Sequence, residues 1–171
     1  MAGQAGTAVD LTVADASALR RALGRFATGV TIVTCRAVDG TPVGLTANSF
    51  SALSLKPPLV LWSLRTASPS AVSFQQASGF AVNVLAQSQV ELSRRFASVV
   101  TDRFAAGDWS SGLHDLPVLA GCAAVFECRL VSHQVAGDHL LFIGEVLCMT
   151  EHAVAPLVFQ GGHYRGLGDP L

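Results

Sequence analysis

The chain has 171 residues, half of them apolar and 13% charged, with a formal net charge of -1. That length suits one domain around one core, and so little charge leaves apolar surface that predicts a homo-oligomeric interface. The scattered lysines and arginines form no basic stripe for a nucleic-acid backbone, and no apolar run approaches the ~20 residues that span a bilayer, which argues against nucleic-acid and membrane partners.

Residues 1–14 lack the basic start and continuous apolar stretch of a signal peptide and read as a flexible tail ahead of a single domain at 15–171, which points to the cytoplasm. Asp15 to Phe26 predicts an amphipathic helix with Leu19, Leu23 and Phe26 on one face and Asp15 or Ser17 as its cap. β-Branched Val30 to Cys35 predicts a strand, Asp39-Gly40 a hairpin turn, and Pro42 to Asn48 the returning strand. Ser49 to Leu53 and Leu59 to Leu64 extend that sheet around Pro57-Pro58. Pro69 opens a short helix to Gln76, Gly79 to Leu85 is another strand, and Ser88 to Phe96 has a helical pattern of Val90, Leu92 and Phe96. Thr101 to Leu119 loses all periodicity and reads as a mobile functional loop. Ala123 to Val135 and His139 to Met149 are long strands flanking a turn at Ala136-Gly137-Asp138, and a last strand covers Pro156 to Gln160. Hairpin-linked strands without βαβ alternation predict a mainly β protein, an antiparallel barrel with peripheral helices. Cys35, Cys122, Cys128 and Cys148 form no C-x-x-C pair and read as reduced small hydrophobes.

Several chemistries lose their sequence support. The chain has no G-x-G-x-x-G run, no P-loop, no G-x-S-x-G elbow and no H-E-x-x-H pair, and its five histidines are dispersed from His114 to His163. What remains is a polar run within a sheet, Gly44-Leu45-Thr46-Ala47-Asn48-Ser49-Phe50-Ser51-Ala52-Leu53-Ser54, followed by Leu61-Trp62-Ser63-Leu64-Arg65-Thr66-Ala67-Ser68-Pro69-Ser70 at a strand-to-helix junction. Hydroxyls and free N–H groups at such a junction suit a phosphate, although alternating hydroxyls also decorate ordinary solvated strands.

The chain resembles the short-chain flavin reductases that serve two-component flavin-dependent monooxygenases. The resemblance rests on Phe26-Ala27-Thr28-Gly29-Val30-Thr31, Gly44 to Phe50, Lys56-Pro57-Pro58-Leu59-Val60 and Phe80-Ala81-Val82-Asn83-Val84-Leu85. It continues through Arg95-Phe96-Ala97, Gly137-Asp138-His139, Gly144-Glu145-Val146 and Gly161-Gly162-His163-Tyr164-Arg165, in order across nearly the whole chain. It implies an FMN-binding split β-barrel that works as a homodimer and takes FMN or FAD as an exchangeable substrate. It implies hydride transfer from NADH, with NADPH as the alternative donor, and delivery of reduced flavin to a monooxygenase partner. Thr46, Ala47, Asn48 and Ser49 would line the isoalloxazine ring, Ser63, Ser68 and Ser70 the ribityl chain and phosphate, with Asn83 nearby. Negative charge arriving on the ring's pyrimidine side would be stabilised by N–H, Thr, Asn and Ser donors.

The same resemblance puts His139 beside the nicotinamide, against the plainer reading of a strand-end histidine bonded to backbone. Gly161 and Gly162 would let backbone approach the cofactor, with Tyr164 stacking near it, or would simply form a turn. Phe104 and Trp109 either cover the nicotinamide or bury their own loop. Few cations surround these positions, so a loosely held, exchanging flavin is expected. The alternative function is an FMN-holding electron-transfer module without free-flavin reductase activity.

Overall fold

The structure is a computed structural model that describes residues 16–170. The predicted tail and the Asp15 cap lie outside the described residues. In chain order the first elements are α1 (Ala16–Leu23), β1 (Thr28–Gly29), β2 (Thr31–Arg36), β3 (Pro42–Ala47), β4 (Ser51–Leu55) and β5 (Pro58–Arg65). Next come α2 (Ala71–Gln76), β6 (Gly79–Val84), α3 (Val90–Ala97), β7 (Trp109–Ser111) and β8 (Pro117–Leu119). The chain ends in β9 (Ala124–Ala136), β10 (His139–Glu151), β11 (Val158–Gln160) and β12 (His163–Arg165).

Seven strands form one antiparallel sheet in the order β3-β2-β6-β9-β10-β5-β4. Its two edges, β3 and β4, are consecutive in sequence and separated only by Asn48, Ser49 and Phe50. Such a link spans no more than about 14 Å, so the sheet has to curl until its edges approach. Ser49 marks the seam. Its Oγ accepts a hydrogen bond from the Ser63 N–H at 3.0 Å and donates to the Ser63 carbonyl at 2.9 Å, standing in for a ladder pair between the edge of β3 and β5. The predicted second and third strands are shifted accordingly: β3 stops at Ala47 and β4 starts at Ser51, because the residues between them turn the corner.

Two apolar clusters fill the interior. In one, Trp62 stacks on Phe142 with centroids 4.7 Å apart and meets Phe74 edge-on at 4.8 Å, pairings that add about 0.5–1.5 kcal/mol each beyond burial. In the other, Ile32, Leu85, Phe96, Leu119 and Leu157 pack behind α3. β2 belongs to both clusters, which is why Ile32, Val33 and Cys35 are all fully buried and why its sequence reads as continuously apolar and β-branched.

The segment expected to be a mobile loop is anchored. Phe104 and Trp109 pack edge-on at 4.8 Å and both meet Phe96, so they bury the loop and do not line the main cleft. Thr34 Oγ1 donates to the Pro117 carbonyl at 2.6 Å, and β7 and β8 pair as a small hairpin. Its Gly, Asp and Ser content hid these anchors. The predicted amphipathic helix forms as α1, but Leu19, Leu23 and Phe26 are left 41%, 64% and 78% exposed.

Candidate active site

A cleft of about 700 Å³ opens where the curled sheet fails to complete its ladder. The end of β3 supplies Thr46 and Ala47, and the corner supplies Asn48 and Ser49. Ser63 and Arg65 come from β5, Ser68 and Ser70 from the approach to α2, and His139 from the first position of β10. β3 pairs with β2 on one side only, so along its other side the backbone groups that Arg103 does not cap have no ladder partner.

The local bonds decide what each side chain offers. The Thr46 hydroxyl donates to the Ser93 carbonyl on α3 at 2.6 Å, so toward the cleft it presents an acceptor. Ser93 is fully buried, and its Oγ lies 2.9 Å from the Tyr164 hydroxyl. Ser68 Oγ accepts from the Ser70 N–H at 3.3 Å, and the Ser70 hydroxyl makes no capping bond to α2.

At the rim, His139 sits opposite Arg65 in the β10/β5 register. Its Nδ1 is 2.7 Å from Asp138 Oδ1. The hydrogen bond from His139, reinforced by its charge, holds the Asp138 carboxyl below the usual range. An ionised Asp138 fixes Nδ1 as the donor, which leaves Nε2 for a ligand.

Thr46, Ala47, Asn48, Ser49, Ser63, Ser68, Ser70 and His139 are therefore brought together around one cleft. Asn83 is not among its lining residues: it is fully buried, donating from Nδ2 to the Ile32 carbonyl at 3.0 Å and accepting the Leu119 N–H at 2.9 Å. Tyr164 stands behind the site and reaches it through Ser93 and Thr46. Gly161 and Gly162, both at positive φ, form the two-residue turn between β11 and β12 and line a different cleft.

Arg65 and Arg103 are the cations that sequence reasoning missed. Arg65 lies inside the Leu61 to Ser70 run, where one cation among hydroxyls carries no distinguishing signal. Arg103 gave no signal, since it lies in the aperiodic segment and reaches the wall by donating to the Gly44 and Ser98 carbonyls, both at 2.9 Å.

These residues fit a flavin. The volume falls within the roughly 300–1,000 Å³ of ligand clefts, the open edge of β3 supplies backbone donors and acceptors for a flat heterocycle, and the serines with Arg65 supply phosphate and ribityl partners. A model of the flavin reductase like domain matches residues 23–168. The chain belongs to the flavin reductase-like family.

This flavin reductase-like chain is 43% identical over 148 residues to the reductase component of a flavin-dependent trigonelline monooxygenase from Acinetobacter baylyi. That match covers 86% of the chain but 46% of the relative, so the chain spans about half of that protein's length. It is 42% identical to the FMN reductase (NADH) SmoA of Agrobacterium fabrum, over 88% of this chain and 85% of SmoA. In structure it is similar to the NADH:FAD oxidoreductase SgcE6 of Streptomyces globisporus C-1027, solved in complex with NAD and FAD fragments. The TM-score is 0.88 at 37% identity, covering 95% of this chain and 98% of that one.

Proposed function

We propose that the protein is an NAD(P)H:flavin oxidoreductase, one domain over residues 15–171, that reduces exchangeable FMN or FAD with NADH and supplies reduced flavin to a monooxygenase component. The carrying observation is the cleft itself, in which an open β3 edge and the Thr46 to Ser49 run face the His139–Arg65 rim. The names of the relatives support the donor, the acceptor and the partner class.

A flavin held by Thr46 to Ser49, Ser63, Ser68 and Ser70 would supply the ring that takes a hydride from NADH and one proton from water. The chain's own work is positional. The β3 edge and Asn48 orient a ring plane, Thr46 accepts a hydrogen bond from it, and backbone N–H groups oppose the charge that arrives there. His139 Nε2, held by Asp138, and the Arg65 guanidinium orient the nicotinamide donor at the rim. Among the described lining residues the cations are Arg65, Arg103 and, when protonated, His139, and Arg103 is committed to two carbonyls. Such a grip favours release of the reduced product.

The exposed apolar side chains of α1 and of the outer halves of β9 and β10, Val131, Val135, Leu147 and Met149, support a homodimer. Among the described residues no helix is long and apolar enough to cross a membrane. The four unpaired thiols suit the reducing cytoplasm.

The test follows nicotinamide absorbance with the purified chain, NADH or NADPH, and FMN, FAD or neither. Oxidation of NADH that requires added flavin is the expected result. Absence of oxidation by folded protein in every combination overturns the reading and leaves a flavin-holding module.

A further inference from the structure

A second cleft, of about 530 Å³, collects Arg20, Arg21, Arg25 and Arg165 around the Gly161-Gly162 turn. It shares no lining residue with the cleft described above, and among the described residues no carboxylate lines it. Among the described residues the ion pairs are Arg94–Glu91, Arg129–Glu145 and His139–Asp138, none of which neutralises these arginines. In a chain with 11 Lys and Arg and a net charge of -1, this is a strong local excess of one sign.

The backbone enforces the convergence. The Gly161 N–H donates to the Gly24 carbonyl at 2.8 Å, tying the chain after α1 to the β11–β12 turn. β1 then pairs with β11 through Thr28↔Phe159 and Gly29↔Val158. Arg20 and Arg21 in the last turn of α1 complement the helix dipole, which accounts for those two. It does not account for Arg25, which lies beyond the helix, or Arg165, which comes from another strand. Like charges so gathered repel one another unless an anion sits between them. The turn leaves the space for one, because a Cβ added at Gly161 or Gly162 would meet nothing within 4 Å.

We propose that this cleft binds the diphosphate or polyphosphate group of a small molecule. Guanidinium forks match phosphate oxygens bidentately, and the concave volume suits a small ligand better than the flat face an acidic protein would need. β12 links this cleft to the first one: Arg165 faces the arginine cluster, while its neighbour Tyr164 reaches Ser93, whose carbonyl holds Thr46. The assignment does not depend on the flavin reductase activity.

Inorganic pyrophosphate is the probe, titrated calorimetrically into the full chain alone, with saturating FMN, and with saturating FAD. One equivalent is expected to bind with or without FMN, and Arg25→Glu and Arg165→Glu, each checked for unchanged melting temperature, should weaken it about tenfold or more. Arg20→Gln, a milder change, should weaken it less. Displacement by FAD but not FMN identifies the diphosphate as that of the dinucleotide; displacement by neither identifies a separate ligand, and both results sustain the site. No binding, binding indifferent to the arginine variants, displacement by FMN, or binding of polyglutamate in place of pyrophosphate overturns it.

Discussion

His139 is where two readings of one side chain lead to different measurements. It is bonded to Asp138 through Nδ1 and lines the cleft, and in the proposed reaction it would orient the nicotinamide. His139→Ala is then expected to lower kcat/KM for NADH by roughly ten- to a hundredfold, with the KM for flavin nearly unchanged; equal loss for both substrates would return it to a structural role. Because the Asp138 carboxyl is held low, its pairing with His139 contributes above the ordinary carboxylate range and is lost as pH falls through the lowered value. Asn83 makes the opposite case. Asn83→Ala removes a buried donor and acceptor that join β2 to β8, so it is expected to cost about 1–3 kcal/mol in denaturant unfolding while the flavin KM stays within a few fold. The sequence showed an amide in an apolar strand, but a strand position has two faces and two neighbours. Only the partners, Ile32 and Leu119, distinguish a buried tie from a ligand contact. That Thr46 to Ser49 line one cleft was legible through the family resemblance, since hydroxyls in a strand also decorate solvated faces; Arg103 was not legible, because its partners are carbonyls, which any sequence supplies.

The cleft wall depends on how α3 and the segment after it lean on β3. A Cβ at Gly44 would stand 2.9 Å from a Phe96 ring carbon and 3.1 Å from Phe104. Gly44→Val therefore pushes both rings away and breaks the seating of Arg103 on the Gly44 carbonyl. It is expected to lower stability by about 1–3 kcal/mol and to raise the flavin KM severalfold, read from thermal melts and initial rates on the same preparation. Long strands were readable from their β-branched runs, as in β2, and from the turn residues between β9 and β10. β1, β7, β8 and β12 were not, since two or three residues carry no period. Their pairing comes from distant segments, as when Thr28 meets Phe159.

Assembly follows from what the fold leaves uncovered. With Leu23 64% and Phe26 78% exposed, light scattering is expected to give twice the chain mass at micromolar concentration, and Leu23→Glu or Leu147→Glu to shift it toward the monomer. Composition predicts apolar surface left over but not its place, because exposure depends on which faces the folded chain has already used. Stability should also have an alkaline limit. Burial pushes the Cys35, Cys122 and Cys128 thiols up to about 12 from 9.0. Between those values the unfolded chain sheds protons that the folded chain keeps. Stability is therefore full below about pH 9 and falls above it, by up to about 1.4 kcal/mol per pH unit for each thiol, measurable as a declining denaturant midpoint.

The single-sided pairing of β3 also concerns how the chain keeps apart from its own copies. An open strand edge is a template on which another chain's backbone can add, and proteins ordinarily blunt such edges with charge, proline or a bulge. Here Pro42 opens the strand, Arg103 caps the Gly44 carbonyl and Ser49 clips the corner, which leaves Thr46 to Asn48 for a bound ring to cover. A flavin ring seated there as proposed would shield that edge, so added FMN is expected to slow heat-induced aggregation read by light scattering, and no change would show that the edge is guarded by the chain alone.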